Sequence, residues 1–295
     1  MSYDPELVPF LATIPKIQFD DIAAERERRG RLPKPPLNRP AGLDVEDIAA
    51  DVPVRVYTPS GRDSLPGLLY FHGGGFVTGS LDTVDATAVR IAAGADVVVV
   101  SVDYRLAPEH PYPAAVDDGY AALEWTVKNA SRLRIDPARL GIGGDSAGGT
   151  VAAAVALLVR DRGGASLRFQ YLNVPTVDDR SSTPSRLTLV DTPQLDRAGI
   201  EAVWRHYLGP RTADAYAAPM RADDLTGLPP AHVVVCEFDP LRDEGIAYAQ
   251  RLVQSGVPTE LHLYPGTFHG STAFDSAVSR RMIADQTAAV RRLAH

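Results

Sequence analysis

The chain of 295 residues is long enough for one large domain, and its 45% hydrophobic and 23% charged residues are ordinary for a globular protein. Its net charge of −7 gives no reason to expect nucleic acid or an anionic membrane surface as a partner. The single cysteine, Cys236, excludes an internal disulfide bond, and no Cys/His cluster has the sequence spacing of zinc ligands.

The first residues, 1 to about 45, differ from the rest of the chain. Asp20 and Asp21 begin a short charged helix that Gly30 ends, and a proline-rich link over residues 33–40 follows. This arm has too few large apolar residues for a core of its own, so we expect it to dock on the main body. The apolar positions available for docking are Leu7, Val8, Phe10 and Leu11.

From Asp51 onward, strand-like and helix-like segments alternate. The predicted strands are residues 52–57, 67–71, 95–102, 140–143, 169–172, 232–237 and 260–264. The predicted helices are residues 82–93, 114–129, 148–162, 242–255 and 276–295. This alternation predicts an α/β fold with a mostly parallel central sheet flanked by helices. The uncharged stretch 147–159 is too short to span a bilayer, so we interpret it as a buried helix without stable membrane insertion.

One insertion interrupts the alternation before the last two strands. Residues 176–227 contain no clear strand, only polar loops and one amphipathic segment over residues 195–207. Insertions of this length at this place are typical of lid material over a binding site.

Two glycine-rich motifs follow predicted strands. His72-Gly73-Gly74-Gly75 comes after the second strand, and Gly144-Asp145-Ser146-Ala147-Gly148 comes after the fourth. A serine on a strand-to-helix turn between glycines is how an α/β-hydrolase exposes its nucleophile, which predicts that role for Ser146. The backbone N–H groups of Gly74, Gly75 and Ala147 would then form an oxyanion hole. The alternative for the serine motif is a glycine-rich packing turn.

The base and the acid should follow the nucleophile in the order Ser, acid, His. His72 precedes it, so we interpret His72 as a hydrogen-bonding residue that fixes its loop. Among the late histidines, His262 alternates with leucines inside a strand and His295 ends the chain. We therefore predict that His269, in the loop after the last strand, is the base.

The acid should stand at the end of the preceding strand. Asp239 is placed there, because Pro240 stops the strand. Asp243 and Glu244 are rivals that we interpret as dipole partners in the first turn of the next helix. Asp239 is predicted to hold the tautomer of the His269 imidazole.

Four motifs together resemble the bacterial hormone-sensitive-lipase family of α/β-hydrolase esterases, in its Gly-Asp-Ser-Ala-Gly branch. They are His72-Gly73-Gly74-Gly75-Phe76, Val102-Asp103-Tyr104-Arg105-Leu106-Ala107-Pro108-Glu109-His110, Gly144-Asp145-Ser146-Ala147-Gly148-Gly149 and Asp239-Pro240-Leu241-Arg242-Asp243-Glu244-Gly245. One departure is Ser271, which stands where the family often has an aromatic residue. Arg105, Glu109 and His110 are interpreted as a structural network that braces the site.

The resemblance implies a carboxylesterase that acts on short- to medium-chain acyl esters through an acyl-serine, with no metal and no cofactor. It also implies a cap arm, residues 1–45, over an α/β-hydrolase catalytic domain, residues 46–295, with residues 176–227 as the cap insertion. We expect Ser146, Asp239 and His269 to be the catalytic triad. Phe76, Leu11 and Trp204 are predicted to line the pocket.

Two other functions stay open at this stage. The same triad serves an arylamidase or an acyltransferase, and small-molecule receptors without a working base are built on the same scaffold. The partner is expected to be a small ester rather than nucleic acid, and the resemblance allows a homodimer. A cytoplasmic location is expected because Asp4 and Glu6 stand where a signal peptide would carry positive charge.

Overall fold

A computed structural model describes residues 2–31 and 39–295. The described strands are β1 (Leu43–Ile48), β2 (Val54–Pro59), β3 (Leu65–Phe71), β4 (Val98–Val102), β5 (Ile135–Asp145), β6 (Gln170–Asn173), β7 (Ala231–Phe238) and β8 (Thr259–Phe268). They form one sheet in the order β1-β2-β4-β3-β5-β6-β7-β8. Strands β1, β2 and β4 pair antiparallel, and every other pairing is parallel. The predicted α/β fold with its mostly parallel sheet is confirmed.

Helices cover both faces of this sheet. The described α-helices are α1 (Val8–Leu11), α2 (Ile22–Gly30), α3 (Leu81–Ala95), α4 (Ala114–Lys128), α5 (Ala147–Arg162), α6 (Pro184–Thr188), α7 (Arg197–Leu208), α8 (Arg242–Gln254) and α9 (Ala277–Ala294). Alternate residues of each central strand enter two apolar clusters, one shared with α4, α5, α7 and α8 and the other shared with α3 and α9. A strand such as β4 is therefore buried on both faces, as its run of valines predicts.

Strand β1 is an element that the sequence analysis missed. Half of its residues are acidic, with Glu46 and Asp47 interrupting the apolar alternation, and it lies at the edge of the sheet with most side chains partly or fully exposed. Such a strand shows little apolar signal. The predicted domain boundary between residues 45 and 46 cuts through this strand, so the sheet begins earlier than predicted, at Leu43.

The N-terminal arm docks on the body largely as predicted. Leu7 is fully buried and Phe10 packs on Phe274, with the ring centroids 5.2 Å apart, whereas Val8 is half exposed and does not dock. Helix α2 is capped at its N-terminus by Asp21, whose side chain accepts a hydrogen bond from the backbone N–H of Ala24. Of the predicted proline-rich link, residues 33–38 lie outside the described residues.

The insertion between β6 and β7 carries two helices, α6 and α7. Helix α7 matches the predicted amphipathic segment, and its apolar side buries Ile200, Val203 and Trp204. Helix α5 is buried along almost its whole length, in agreement with its interpretation as a core helix. Within residues 2–31 and 39–295, no helix combines the length and the hydropathy needed to span a membrane.

Candidate active site

Ser146 lies in the turn between β5 and α5 with a strained backbone. Its φ of 54° and ψ of −117° are unfavourable for a residue with a side chain. The Ser146 N–H donates to the carbonyl oxygen of Asn173 at the end of β6, at 2.8 Å, which ties the turn to the neighbouring strand. Strained serine turns of this kind place the hydroxyl at the edge of the sheet, before the N-terminus of the following helix.

Two glycines allow this turn to touch strand β3. A Cβ atom on Gly148 would lie 2.2 Å from the carbonyl oxygen of Phe71, and one on Gly144 would lie 2.7 Å from the same oxygen. Both positions therefore exclude any larger residue. Because Phe71 ends β3, this contact brings the glycine-rich loop that follows it beside Ser146.

Asp239 and His269 meet at the ends of the two adjacent strands β7 and β8. The Nδ1 atom of His269 lies 2.7 Å from Oδ2 of Asp239, and Oδ1 of Asp239 accepts from the backbone N–H of Leu241 at 2.9 Å. The Asp239 carboxylate is almost completely buried. Because a carboxylate only accepts, the His269 proton belongs on Nδ1, and Nε2 is left free to take another.

The surroundings of His269 set its pKa. Burial lowers this pKa, but the charge of Asp239 and the hydrogen bond to it act in the opposite sense, and the net pKa is raised above the ordinary value of 6.5. A raised pKa makes His269 a stronger base than a free imidazole.

The loop Gly73–Gly75 offers backbone donors to the same space. The Gly74 carbonyl oxygen accepts from the N–H groups of Val77 and Thr78, at 3.2 and 2.9 Å, which closes the loop into a tight turn. Gly74 has φ 128° and Gly75 has φ 64°. Among the described residues, nothing accepts from the N–H groups of Gly74 and Gly75. Ala147, as the first residue of α5, likewise has no acceptor for its N–H within the helix.

A cavity of about 400 Å³ joins these groups. Its lining includes Ser146, His269 and the loop Gly73–Gly75 on the sheet side. Apolar lining comes from the arm and the insertion, through Ile17, Phe19, Leu195, Ile200 and Val203.

The prediction that Phe76, Leu11 and Trp204 line this cavity is wrong. Phe76 is buried and stacks on Tyr207 with ring centroids 3.8 Å apart, and Trp204 packs against both rings. Leu11 packs on the apolar cluster that α3 and α9 share. These three residues therefore pack inside the protein rather than line the cavity. The prediction failed because the direction of a side chain on a helix or loop is fixed by contacts that the sequence does not display.

His72 has the supporting place that its position in the sequence indicates. Its ring is fully buried, stacks on Tyr104 and lies with Nδ1 2.8 Å from the carbonyl oxygen of Gly73. Burial lowers the pKa of His72 to about 4, so the ring is neutral and donates from Nδ1 to that oxygen. His262, also rejected as the base, lies within strand β8 rather than at its end.

A polar network behind Ser146 was missed by the sequence analysis. Oδ1 of Asp145 accepts from the Asn173 side chain at 2.7 Å and from the Tyr70 hydroxyl at 2.9 Å, and that hydroxyl in turn accepts from Gln286 at 3.2 Å. Burial raises the pKa of Asp145, and the two hydrogen bonds to it oppose that rise. Asn173 could have been found from its place at a strand end, whereas Gln286 lies on the distant helix α9 and gives no signal.

Asp243 and Glu244 do more than their interpretation as dipole partners states. Glu244 forms a buried ion pair with Arg186 of the insertion, at 2.7 Å, and also accepts from the backbone N–H of Val177 at 2.9 Å. Asp243 accepts from the N–H of Ser185 at 2.7 Å. The start of α8 therefore holds the insertion over the site.

Arg105 and Glu109 form two separate ion pairs rather than the one network with His110 that was predicted, and their partners were not indicated by the sequence. Arg105 pairs with Asp118 at 2.8 Å. Glu109 pairs with Arg26 of the arm at 2.7 Å, and Arg26 also donates to the carbonyl oxygens of Val77 and Ala107, at 2.8 Å each. The contacts of Arg26 with Glu109 and with the two carbonyl oxygens thus fasten helix α2 to the body.

Comparisons with known proteins agree with this geometry. A family model described as an alpha/beta hydrolase fold matches residues 68–273. The esterase LipI of Mycobacterium tuberculosis is 42% identical over 288 residues, which cover 94% of this chain and 90% of LipI. The carboxylesterase NlhH of the same organism is 45% identical over 287 residues, which cover 92% of this chain and 89% of NlhH.

A solved structure extends the similarity over the whole chain. The structure of a bacterial heroin esterase superposes with a TM-score of 0.94 at 40% identity and covers 100% of this chain and 98% of its own. The elements that carry Ser146, Asp239 and His269 are thus part of an architecture that this esterase shares.

Proposed function

Because the chain belongs to the bacterial, hormone-sensitive-lipase-like family of α/β-hydrolases, we propose that it is a serine carboxylesterase with Ser146 as its nucleophile. Its substrates are short- to medium-chain acyl esters. Two relatives match nearly the whole length of this chain, and one is an esterase and the other a carboxylesterase, which supports the reaction class.

The reaction proceeds in two halves. Oγ of Ser146 attacks the ester carbonyl carbon while Nε2 of His269 takes the hydroxyl proton, and the developing oxyanion accepts from the N–H groups of Gly74, Gly75 and Ala147. The C–O bond to the alcohol then breaks, and the alcohol leaves with the proton from His269. Water repeats the sequence on the acyl-serine and releases the acid. Asp239 stabilises the imidazolium without taking its proton.

One observation carries this proposal above the others. The 2.7 Å contact between His269 and Asp239 lies at the cavity that the strained Ser146 also lines. A buried carboxylate on Nδ1 raises the basicity of Nε2, and that basicity is what a serine hydroxyl needs in order to become a nucleophile.

The arm, residues 1–45, and the insertion, residues 176–227, serve as a cap over the catalytic body. Support comes from Phe19 of the arm and Val203 of the insertion, which both line the cavity beside Gly75, and from the two anchors at Arg26 and Arg186. A cap of this kind excludes water and fits the acyl chain. A cytoplasmic location and a homodimer remain predictions.

The alternatives gain no comparable support. A receptor without a working base does not need the Asp239–His269 pair. An arylamidase or acyltransferase would use the same groups, but the relatives described above are esterases.

Replacement of Ser146 by Ala tests the proposal. We expect hydrolysis of p-nitrophenyl butyrate by the pure protein to fall ~10⁴-fold or more, because the acyl intermediate forms on the Ser146 hydroxyl that His269 activates. Labelling by a fluorophosphonate probe should disappear in the same variant. Ser60→Ala, at an exposed serine, is the control and should keep both properties. Unchanged hydrolysis by Ser146→Ala would refute the mechanism.

A further inference from the structure

Three potential metal ligands share one face of the sheet at its β7–β8 end. His232 of β7 is the register partner of Glu260 in β8, and His262 follows two residues after Glu260. Side chains at positions i and i+2 of a strand point to the same face, so the three groups converge. One ligand atom from each lies within 4.8 Å of the other two.

Two of the three separations lie close to what a tetrahedral ion requires. Nδ1 of His232 lies 3.2 Å and Nε2 of His262 lies 3.7 Å from Oε2 of Glu260. Ligand atoms about 2.0–2.1 Å from a zinc ion lie about 3.3–3.4 Å apart in a tetrahedron. Two imidazoles with one carboxylate are also a ligand set that open zinc sites use.

We propose that His232, Glu260 and His262 form a binding site for a divalent transition-metal ion, with zinc as the fitting ion and the fourth position open to water. The site is separate from the catalytic one. Asp239 follows His232 by seven residues on the same extended segment, so roughly 20 Å separates the proposed metal site from the catalytic carboxylate.

Burial supports one fixed ligand and two accessible ones. The His232 side chain is 1% exposed, and its ring stacks on Tyr171 at a centroid distance of 5.4 Å and an angle of 11°, which holds its orientation. Glu260 and His262 are 45% and 41% exposed, so an ion can enter from solvent. An ion at this place would join the edge strand β8 to β7.

Arg292 of helix α9 is a built-in competitor for the ion. Its guanidinium forms an ion pair with Oε2 of Glu260, the oxygen that faces both imidazoles. A metal ligand must present a free lone pair, so binding displaces both this guanidinium and the hydrogen bond between Nδ1 of His232 and Glu260. Removal of the Arg292 charge should therefore strengthen metal binding.

The ligands could not be found from spacing along the chain. Glu260 and His262 stand two residues apart, but His232 is distant in sequence and meets them only through the β7–β8 register. The expectation that the sequence contains no zinc-ligand spacing is compatible with a site assembled across two strands.

The experiment measures zinc binding to tag-free, EDTA-treated protein by competition with a chromophoric zinc chelator. We expect one equivalent to bind. His262→Ala and Glu260→Gln should weaken binding by more than the roughly 10–100-fold lost when a group that only orients a metal ligand is removed. Arg292→Ala should bind roughly tenfold more tightly than the unaltered chain. Co²⁺ in place of zinc should give the intense visible absorption of a tetrahedral site.

His110→Ala, at an exposed histidine outside the cluster, is the control and should bind like the unaltered chain. Zinc should raise the melting temperature of the unaltered protein but not that of His262→Ala, while both melt cooperatively without metal. Equal zinc affinity in His262→Ala and the unaltered chain, or weaker binding by Arg292→Ala, would overturn the proposal. Ester hydrolysis does not enter these readouts, so failure of the esterase proposal would leave them unaffected.

Discussion

At the scale of single residues, the contact between Asp239 and His269 determines which imidazole nitrogen can accept a proton. The carboxylate accepts a hydrogen bond from the Nδ1 proton, which stays on the ring, and it raises the pKa of His269 against the effect of burial. Activity that needs the free base should therefore rise with pH through this raised pKa. The pH profile is a direct readout of the contact.

Asp239→Asn should move that profile. The asparagine side chain keeps the shape of the aspartate but removes its charge, so the effect of burial dominates and the pKa of His269 falls. The midpoint of kcat/KM against pH should therefore shift to lower pH. The plateau rate should fall on the order of 10³–10⁴-fold, because an amide can favour the wrong tautomer. Asp63→Asn, at an exposed aspartate, is the matched control. A midpoint that stays fixed in Asp239→Asn would contradict the assignment.

Gly74 offers a test of the oxyanion loop. A Cβ atom there would lie 2.1 Å from the carbonyl oxygen of Thr78, at a backbone φ of 128°. Gly74→Ala should displace the loop and lower kcat by about 10²–10³-fold, as loss of an oxyanion donor does, with a smaller effect on KM.

Gly61 provides a control with the same backbone property and no crowding. It has φ 89° and nothing within 4 Å of an added Cβ atom. Gly61→Ala should therefore lose stability, on the order of 1–2 kcal/mol for the strained backbone, but keep its kcat. Equal activity of the two variants would show that the Gly74 N–H does not contribute to the reaction.

At the scale of elements, the positions of the motifs could be predicted from the sequence, whereas the contacts that anchor the insertion could not. The strand ends that carry Ser146, Asp239 and His269 are local features, since each residue follows an apolar run and has a glycine or proline close to it in the sequence. The anchor from Glu244 to Arg186 joins positions 58 residues apart, and no local pattern marks it. Strand β1 was missed for another reason, because its charged edge carries little apolar periodicity.

The Arg186–Glu244 pair should dominate the stability of the insertion. Both side chains are almost completely buried, so Arg186→Met leaves an unpaired buried carboxylate and should lower the free energy of unfolding by about 3–5 kcal/mol. Arg197→Met breaks an exposed pair with Glu201 and should cost about 1 kcal/mol or less. Urea unfolding measures both. Equal stability of the two variants would contradict a structural role for the buried pair.

At the scale of the whole molecule, the sheet and its order of motifs were predictable, whereas the pocket was not. The alternation of strands and helices fixes a parallel sheet, and the carboxyl ends of such strands meet at one edge. The pocket is formed by residues from the arm, the insertion and the sheet together, among them Phe19, Leu195 and Val203. Which of their side chains point inward depends on contacts between segments far apart in sequence, so Phe76 and Trp204 were assigned wrongly.

The size of that shared pocket predicts the preferred acyl length. A cavity of about 400 Å³, at the lower end of the range for ligand pockets, should accept butyrate or hexanoate esters and reject palmitate by about 100-fold or more in kcat/KM. Val203 lines the cavity beside Gly75, so Val203→Ala should shift the optimum towards longer chains by removing two methyl groups from the wall. Val253→Ala, at a valine that is 57% exposed on α8, should leave the optimum unchanged. A series of p-nitrophenyl esters from acetate to palmitate, each kept below its solubility limit, measures all three proteins. A maximum at palmitate in the unaltered chain would mean that the cap opens widely in solution, and the small-pocket assignment would then be wrong.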